Sequence, residues 1–228
     1  MGIAQAGIAF RASNAIDDFE RFVTSVFGES AAAVPLPVPA RFDIRNHSDV
    51  MVQVFGDVCF ISNDDLAWPL IRDDARSAER LHAALGAPAL MMAFCHYDRG
   101  GSHGYAIFDK GRRVRTRLHT RQQTDAAALR ESGRPLPFEH RRSSARRELA
   151  IAAHADDRPS VPPGEPDDAS RMVRDGLEAL FGVCPWESLM TPTYRFFRLG
   201  PDRAAIGTPA SPPTLAAAAV KRPWWRFP

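Results

Sequence analysis

The chain has 228 residues, 45 % of them hydrophobic and 25 % charged, with a formal net charge of +2; a sizeable core fits within ordinary globular limits. Three cysteines, Cys59, Cys95 and Cys184, are too few and too scattered for a disulfide framework, which points to a reducing, cytoplasmic setting. No basic-plus-apolar export signal opens the chain, and no apolar run approaches the ~20 residues that a membrane span needs.

The small net charge conceals a split. Residues 1–109 carry 8 Lys/Arg against 14 Asp/Glu, residues 110–147 carry 12 against 3, and residues 148–228 carry 9 against 10. A segment with a balance of +9 speaks about surfaces and partners rather than fold. It can dock on the acidic first half of the same chain or on an external anion.

In chain order, residues 3–11 read as a strand. Residues 15–27 read as an amphipathic helix, with Ile16, Phe19, Phe22, Val23, Val26 and Phe27 on one stripe. Asn14 is the expected N-cap, and Gly28 the stop. Proline-rich residues 31–40 read as an extended connector. Over 50–62, Gly56-Asp57 predicts a two-residue hairpin that pairs Phe55 with Val58 and Val54 with Cys59. Val50, Val52, Val54, Cys59 and Ile61 then share an apolar face. Asp64, Asp65, Trp68 and Pro69 read as a loop, and 75–85 as a helix closed by Gly86.

A β-meander is expected over 89–118: a strand over 89–97, a five-residue turn at 99–103, a return over 104–109, a three-residue hairpin at 109–111 and a last strand over 112–118. Turns of odd length keep like parity on like faces. Arg113, Arg115 and Arg117 are then expected on one face with Tyr97 and Tyr105. Three arginines cannot be buried unpaired, so that face should meet water, carboxylates or a ligand. These five residues are the candidate binding set for an anionic protein surface or polyanion, with nucleic acid as a further possibility.

Residues 131–140 read as a loop, 143–154 as a short helix, 167–181 as a helix with Met172, Val173, Leu177, Leu180 and Phe181 inward, and 192–199 as a final strand. The expected layout is an α+β domain over 1–199, with a mostly antiparallel sheet, helices packed on one side and linker-like stretches at 31–40 and 155–166. A disordered Pro/Ala-rich tail over 200–228 ends in the basic-aromatic cluster KRPWWRFP.

Catalytic and metal candidates are sparse. Cys95 and His96 are neighbours on a strand and point to opposite faces, so Cys95 could meet only His103, and only if the turn folds back. An activated thiol also needs a depressed pKa. His96, Asp98 and His103 could together offer two nitrogens and an oxygen to a metal, but no HxH, HExxH or CxxC spacing occurs. The RGGSHG stretch leads into a strand rather than a helix, so its glycines suit a hairpin better than a phosphate loop. No cofactor is expected. The leading expectation is a non-catalytic binding or regulatory module with an arginine-bearing sheet face; the alternative is a hydrolase-like enzyme built on Cys95 or the His96/Asp98/His103 group.

Overall fold

The structure, a computed structural model, describes residues 4–38, 40–72, 75–97, 101–120, 129–140 and 166–200. Among the described residues, nine antiparallel strands form one sheet: β1 (Ala4–Arg11), β2 (Ala31–Ala33), β3 (Asp49–Phe55), β4 (Val58–Ser62), β5 (Leu90–Tyr97), β6 (Ser102–Asp109), β7 (Arg112–His119), β8 (Leu129–Gly133) and β9 (Thr193–Leu199). Their spatial order is β2-β9-β3-β4-β1-β5-β6-β7-β8. β1 lies at the centre between β4 and β5. Its Ile8 and Phe10 face one side and its Ala9 the other, and all three are buried. A fully buried Ile or Phe contributes about 1.5–3 kcal/mol, so alternation into two cores stabilises this strand from both sides.

On one side, helices α1 (Phe19–Phe27), α2 (Asp64–Arg72) and α3 (Ala75–Ala84) pack on Ile8, Phe10, Val50, Cys59, Ile61 and Met91. The other side is covered by α4 (Pro166–Phe181), whose Met172, Val173, Leu177 and Phe181 meet Phe60, Met92, Phe94 and Tyr105. The α+β class, the hairpin over 50–62 and the meander over 89–118 are as expected. Three helices lie together on one side, and α4 adds a layer on the other. The 143–154 helix, the 155–166 linker apart from its last residue, and the tail beyond Gly200 lie outside the described residues.

The 50–62 hairpin has the expected register, Phe55 opposite Val58 and Val54 opposite Cys59. Gly56 sits at φ 63°, and Asp57 is not among the residues with positive φ, which suits a turn with glycine first. Other expectations shift. α1 begins at Phe19 rather than Ala15, because Asp18, not Asn14, caps it: its side chain accepts from the Arg21 N–H at 2.9 Å while its backbone is extended. Residues 31–33, read as connector, pair with β9 as a short edge strand.

Residues 64–72, read as loop, form α2. Asn63 Oδ1 accepts from the Leu66 N–H (3.2 Å), Asp64 and Asp65 occupy the first turn, and Ala67, Trp68, Leu70 and Ile71 are buried. That burial offsets the cost of Pro69 inside the helix, about 3 kcal/mol. Residues 131–140, also read as loop, hold the end of β8 and a helical turn over 137–140. Among the described residues no helix is long and apolar enough to cross a membrane.

Candidate functional site

The meander departs from its expected parity in two places. His96 pairs with His103 and Tyr97 with Ser102, so four residues, 98–101, link β5 to β6. An even number inverts the parity. Met91, Ala93 and Cys95 therefore share a face with Ala106 and Phe108, while Met92, Phe94 and His96 share the other with His103, Tyr105 and Ile107. The second departure is a bulge in β7: Ile107 pairs with Arg115 but Phe108 with Arg113, which leaves Val114 unpaired. The β6–β7 turn is also shorter than expected, with Asp109 opposite Arg112 and only Lys110 and Gly111 between them.

Consequently the three arginines do not share a face. Arg113 lies on the α2–α3 side, its guanidinium carbon 5.3 Å from the centre of the Phe108 ring and its Nη1 3.3 Å from Thr116 Oγ1. Arg115 and Arg117 lie on the α4 side. Arg115 is only 2 % exposed. Its Nε and Nη2 form a fork onto Glu139 (2.9 and 2.5 Å). Nη2 also reaches Glu131 Oε2 (3.1 Å), and Nη1 donates to the carbonyls of Ser132 and Gly133 (3.3 and 3.2 Å). A guanidinium has five N–H donors, and here five acceptors receive them. Arg117 is half-buried and pairs with Glu131 (3.2 Å) and Glu139 (3.6 Å). The expected flat arginine face is therefore overturned, and the carboxylates that neutralise its centre come from the basic segment itself.

The tyrosines separate too. Tyr105 is buried beside Phe138 on the Arg115 side; burial raises its pKa, and the nearby Glu139 adds to the rise. Tyr97 stacks on Trp68 on the opposite face, 6.2 Å between ring centres. Burial likewise raises its pKa, with Asp64 adding to it.

Cys95 is fully buried, and desolvation pushes its thiol well above the ordinary value, the reverse of what a nucleophile needs. His96 and His103 face each other across β5 and β6, ring centres 5.0 Å apart, on the side of the sheet opposite Cys95. The sheet itself therefore separates Cys95 from both imidazoles. Asp98 lies outside the described residues. Register extends the histidine pair into a row, His96–His103–His119 across three strands, with Trp186 stacked on His96 at 5.1 Å. Its signal in the sequence was the sum rule of antiparallel pairing, visible only once the turn length is right. Among the described residues, no group of three His, Cys, Asp or Glu side chains could hold a metal ion.

Two surface features were not read from the sequence. At the β6–β7 turn, Lys110, Arg112 and Arg113 line an open cleft of about 440 Å³ against Glu79 and His82 of α3. Arg134 is exposed and follows Gly133, the last residue of β8, which pairs with Arg115 three residues along β7 from Arg112. At the other edge of the sheet, a larger cleft of about 890 Å³ lies between residues 16–20, 33–36 and 194–197. Compared with protein families, curated proteins and solved structures, the chain matches none.

Proposed function

We propose that this chain is a non-catalytic binding module that engages an anionic partner, a polyanion or an acidic protein surface, through the basic corner at the β6–β7 turn. One observation carries the reading: Lys110, Arg112 and Arg134 are exposed, and among the described residues no carboxylate forms an ion pair with them. Arg113 stands beside Lys110 and Arg112 in the same cleft. Arg115 serves as the internal anchor that holds β7 and β8 in place rather than as a ligand contact. Three free buried cysteines fit a cytoplasmic, reducing setting.

Solvated cations gathered at one corner attract anions at long range, and salt screens that attraction over roughly 8–10 Å at ordinary ionic strength. Retention on heparin and on immobilised polyglutamate, compared with the triple variant Lys110→Glu, Arg112→Glu, Arg134→Glu, tests the proposal. The unaltered chain should be retained at low salt and released steeply as salt rises. The variant should lose retention with its melting temperature almost unchanged, since exposed substitutions of this kind usually shift stability by about 0.5 kcal/mol or less. Equal retention of both proteins rejects the corner as the contact surface. Parallel titration of single-stranded and duplex DNA separates a nucleic-acid partner from an acidic protein surface.

A further inference from the structure

The larger cleft lies at the edge of the sheet farthest from the basic corner. Its floor is β9. On the outer side of β9, the three-residue β2 covers Phe197–Leu199, and the Val34 N–H reaches the Phe196 carbonyl at 2.7 Å. Thr193–Arg195 pair with β3 on one side and, among the described residues, with no strand on the other. The apolar surface there is exposed: Leu36 is 73 % and Tyr194 43 % accessible. The Tyr194 ring stacks on Phe196 at 6.0 Å. Open sheet edges of this kind invite pairing with another segment.

The cleft is also acidic. Asp17, Asp18 and Glu20 line it against a single cation, Arg195. Arg195 is exposed but engaged, with its guanidinium carbon 5.8 Å from the centre of the Phe19 ring and Nη1 on the Tyr194 carbonyl at 3.2 Å. An occupant should therefore present aromatic side chains and positive charge in one short stretch.

The sequence holds such a stretch: Lys221, Arg222, Trp224, Trp225, Arg226 and Phe227. We propose that the chain's own segment Lys221–Phe227 docks in this cleft, with its aromatic side chains on Leu36 and Tyr194 and its cations toward Asp17, Asp18 and Glu20. Covalent geometry favours it. The cleft runs back along β9 from Gly200, and Tyr194 is six residues away, roughly 20 Å in a strand. The chain has 20 residues between Gly200 and Lys221. Fully extended they reach about 66 Å, and a flexible chain of that length has a mean span on the order of 25 Å. A linker whose mean span matches the gap gives the highest effective concentration. Docking of this kind also closes the open edge against other strands.

The test uses the full chain labelled with 5-fluorotryptophan. Its four tryptophans give four fluorine signals, and Trp224→Phe and Trp225→Phe assign two of them. Asp17→Arg and Leu36→Asp alter the cleft at exposed side chains. In the unaltered chain, the Trp224 and Trp225 signals should be displaced from those of the free peptide Lys221–Pro228. In each cleft variant they should return to the free-peptide positions, and tryptic cleavage after Lys221 should speed up at least ten-fold. Unmoved Trp68 and Trp186 signals certify an intact fold. The proposal is overturned by free-peptide signals in the unaltered chain, by displaced signals that persist in both variants, or by displacement that vanishes on dilution, which would make a second copy the occupant.

Discussion

Arg115 and Glu139 lie side by side beneath the sheet, 2 % and 3 % exposed, joined by two parallel hydrogen bonds of 2.9 and 2.5 Å. Glu139 also accepts from the Leu136 N–H at 3.1 Å, which ties the 137–140 turn to β7. Burial favours the neutral acid, but the hydrogen bonds and charge of Arg115 outweigh it and lower the Glu139 pKa below its ordinary 4.5. Because the folded value is the lower one, the pair stabilises the fold above the unfolded pKa and loses that contribution as pH falls through the folded value. Glu139→Gln leaves a buried guanidinium under-paired and should cost about 3–5 kcal/mol in urea unfolding. Arg115→Met with Glu139→Leu should recover most of that loss and flatten the acid limb below pH ~4.5.

Asp64 has the opposite sign. It begins α2 with Oδ1 buried and, among the described residues, without a hydrogen-bond partner. Desolvation raises its pKa from 3.8 to about 6, and the nearby Tyr97 hydroxyl offsets part of the rise. The native state therefore holds a proton that the unfolded chain has released, and stability falls as pH rises from about 4 through about 6. Asp64→Asn removes the penalty. By that pKa difference the variant should be more stable by about 2–3 kcal/mol at pH 7 and equal to the unaltered chain below pH ~4. Thermal unfolding across that range reads the difference directly; a constant offset at every pH would assign the effect to packing.

Features are legible in the sequence where the physics is local. Gly56-Asp57 determined a hairpin register because a two-residue turn leaves no freedom in pairing. The 167–181 stripe located α4 because apolar periodicity survives any context. The candidate site failed for a non-local reason. Parity along the meander depends on the length of the 98–101 link and on the unpaired Val114, and one residue of slip exchanges the two faces of a strand. Proline at 69 hid α2 in the same way, since the buried contacts that outweigh it lie on β1 and β5. The Arg115–Glu139 pair spans 24 residues, beyond any periodic pattern.

The bulge depends on Gly133, opposite Arg115 at φ 80°. A Cβ there would stand 2.0 Å from the Val114 carbonyl oxygen, besides occupying a left-handed backbone region. Gly133→Ala should therefore push β8 off β7 and strain the carbonyls that receive Arg115 Nη1. A loss of about 2–4 kcal/mol is expected, with faster amide exchange confined to β7 and β8. Deleting Val114 together with Gly133→Ala should restore part of it, because removing the bulge withdraws the clashing oxygen; no recovery would place the cost in backbone strain alone.

The three cysteines give a direct measure of how firmly the two cores are closed. Burial raises the Cys59 and Cys184 thiols to about 12 and the Cys95 thiol further. With a pKa of 12, roughly one thiol in ten thousand is ionised at pH 8, and the thiolate is the reacting species. Native protein should therefore resist a disulfide exchange reagent that consumes free cysteine within minutes, and release three equivalents on unfolding. Cys184 follows α4 and packs at the outer layer, whereas Cys95 lies in β5 next to the central strand. Labelling should proceed from Cys184 through local opening to Cys95 through global unfolding, so Glu139→Gln should accelerate Cys95 by the fold-change that its stability loss dictates. Rapid stoichiometric labelling of Cys95 in the native state would instead demand an ionised thiol inside the sheet, and would reopen nucleophilic chemistry for this chain.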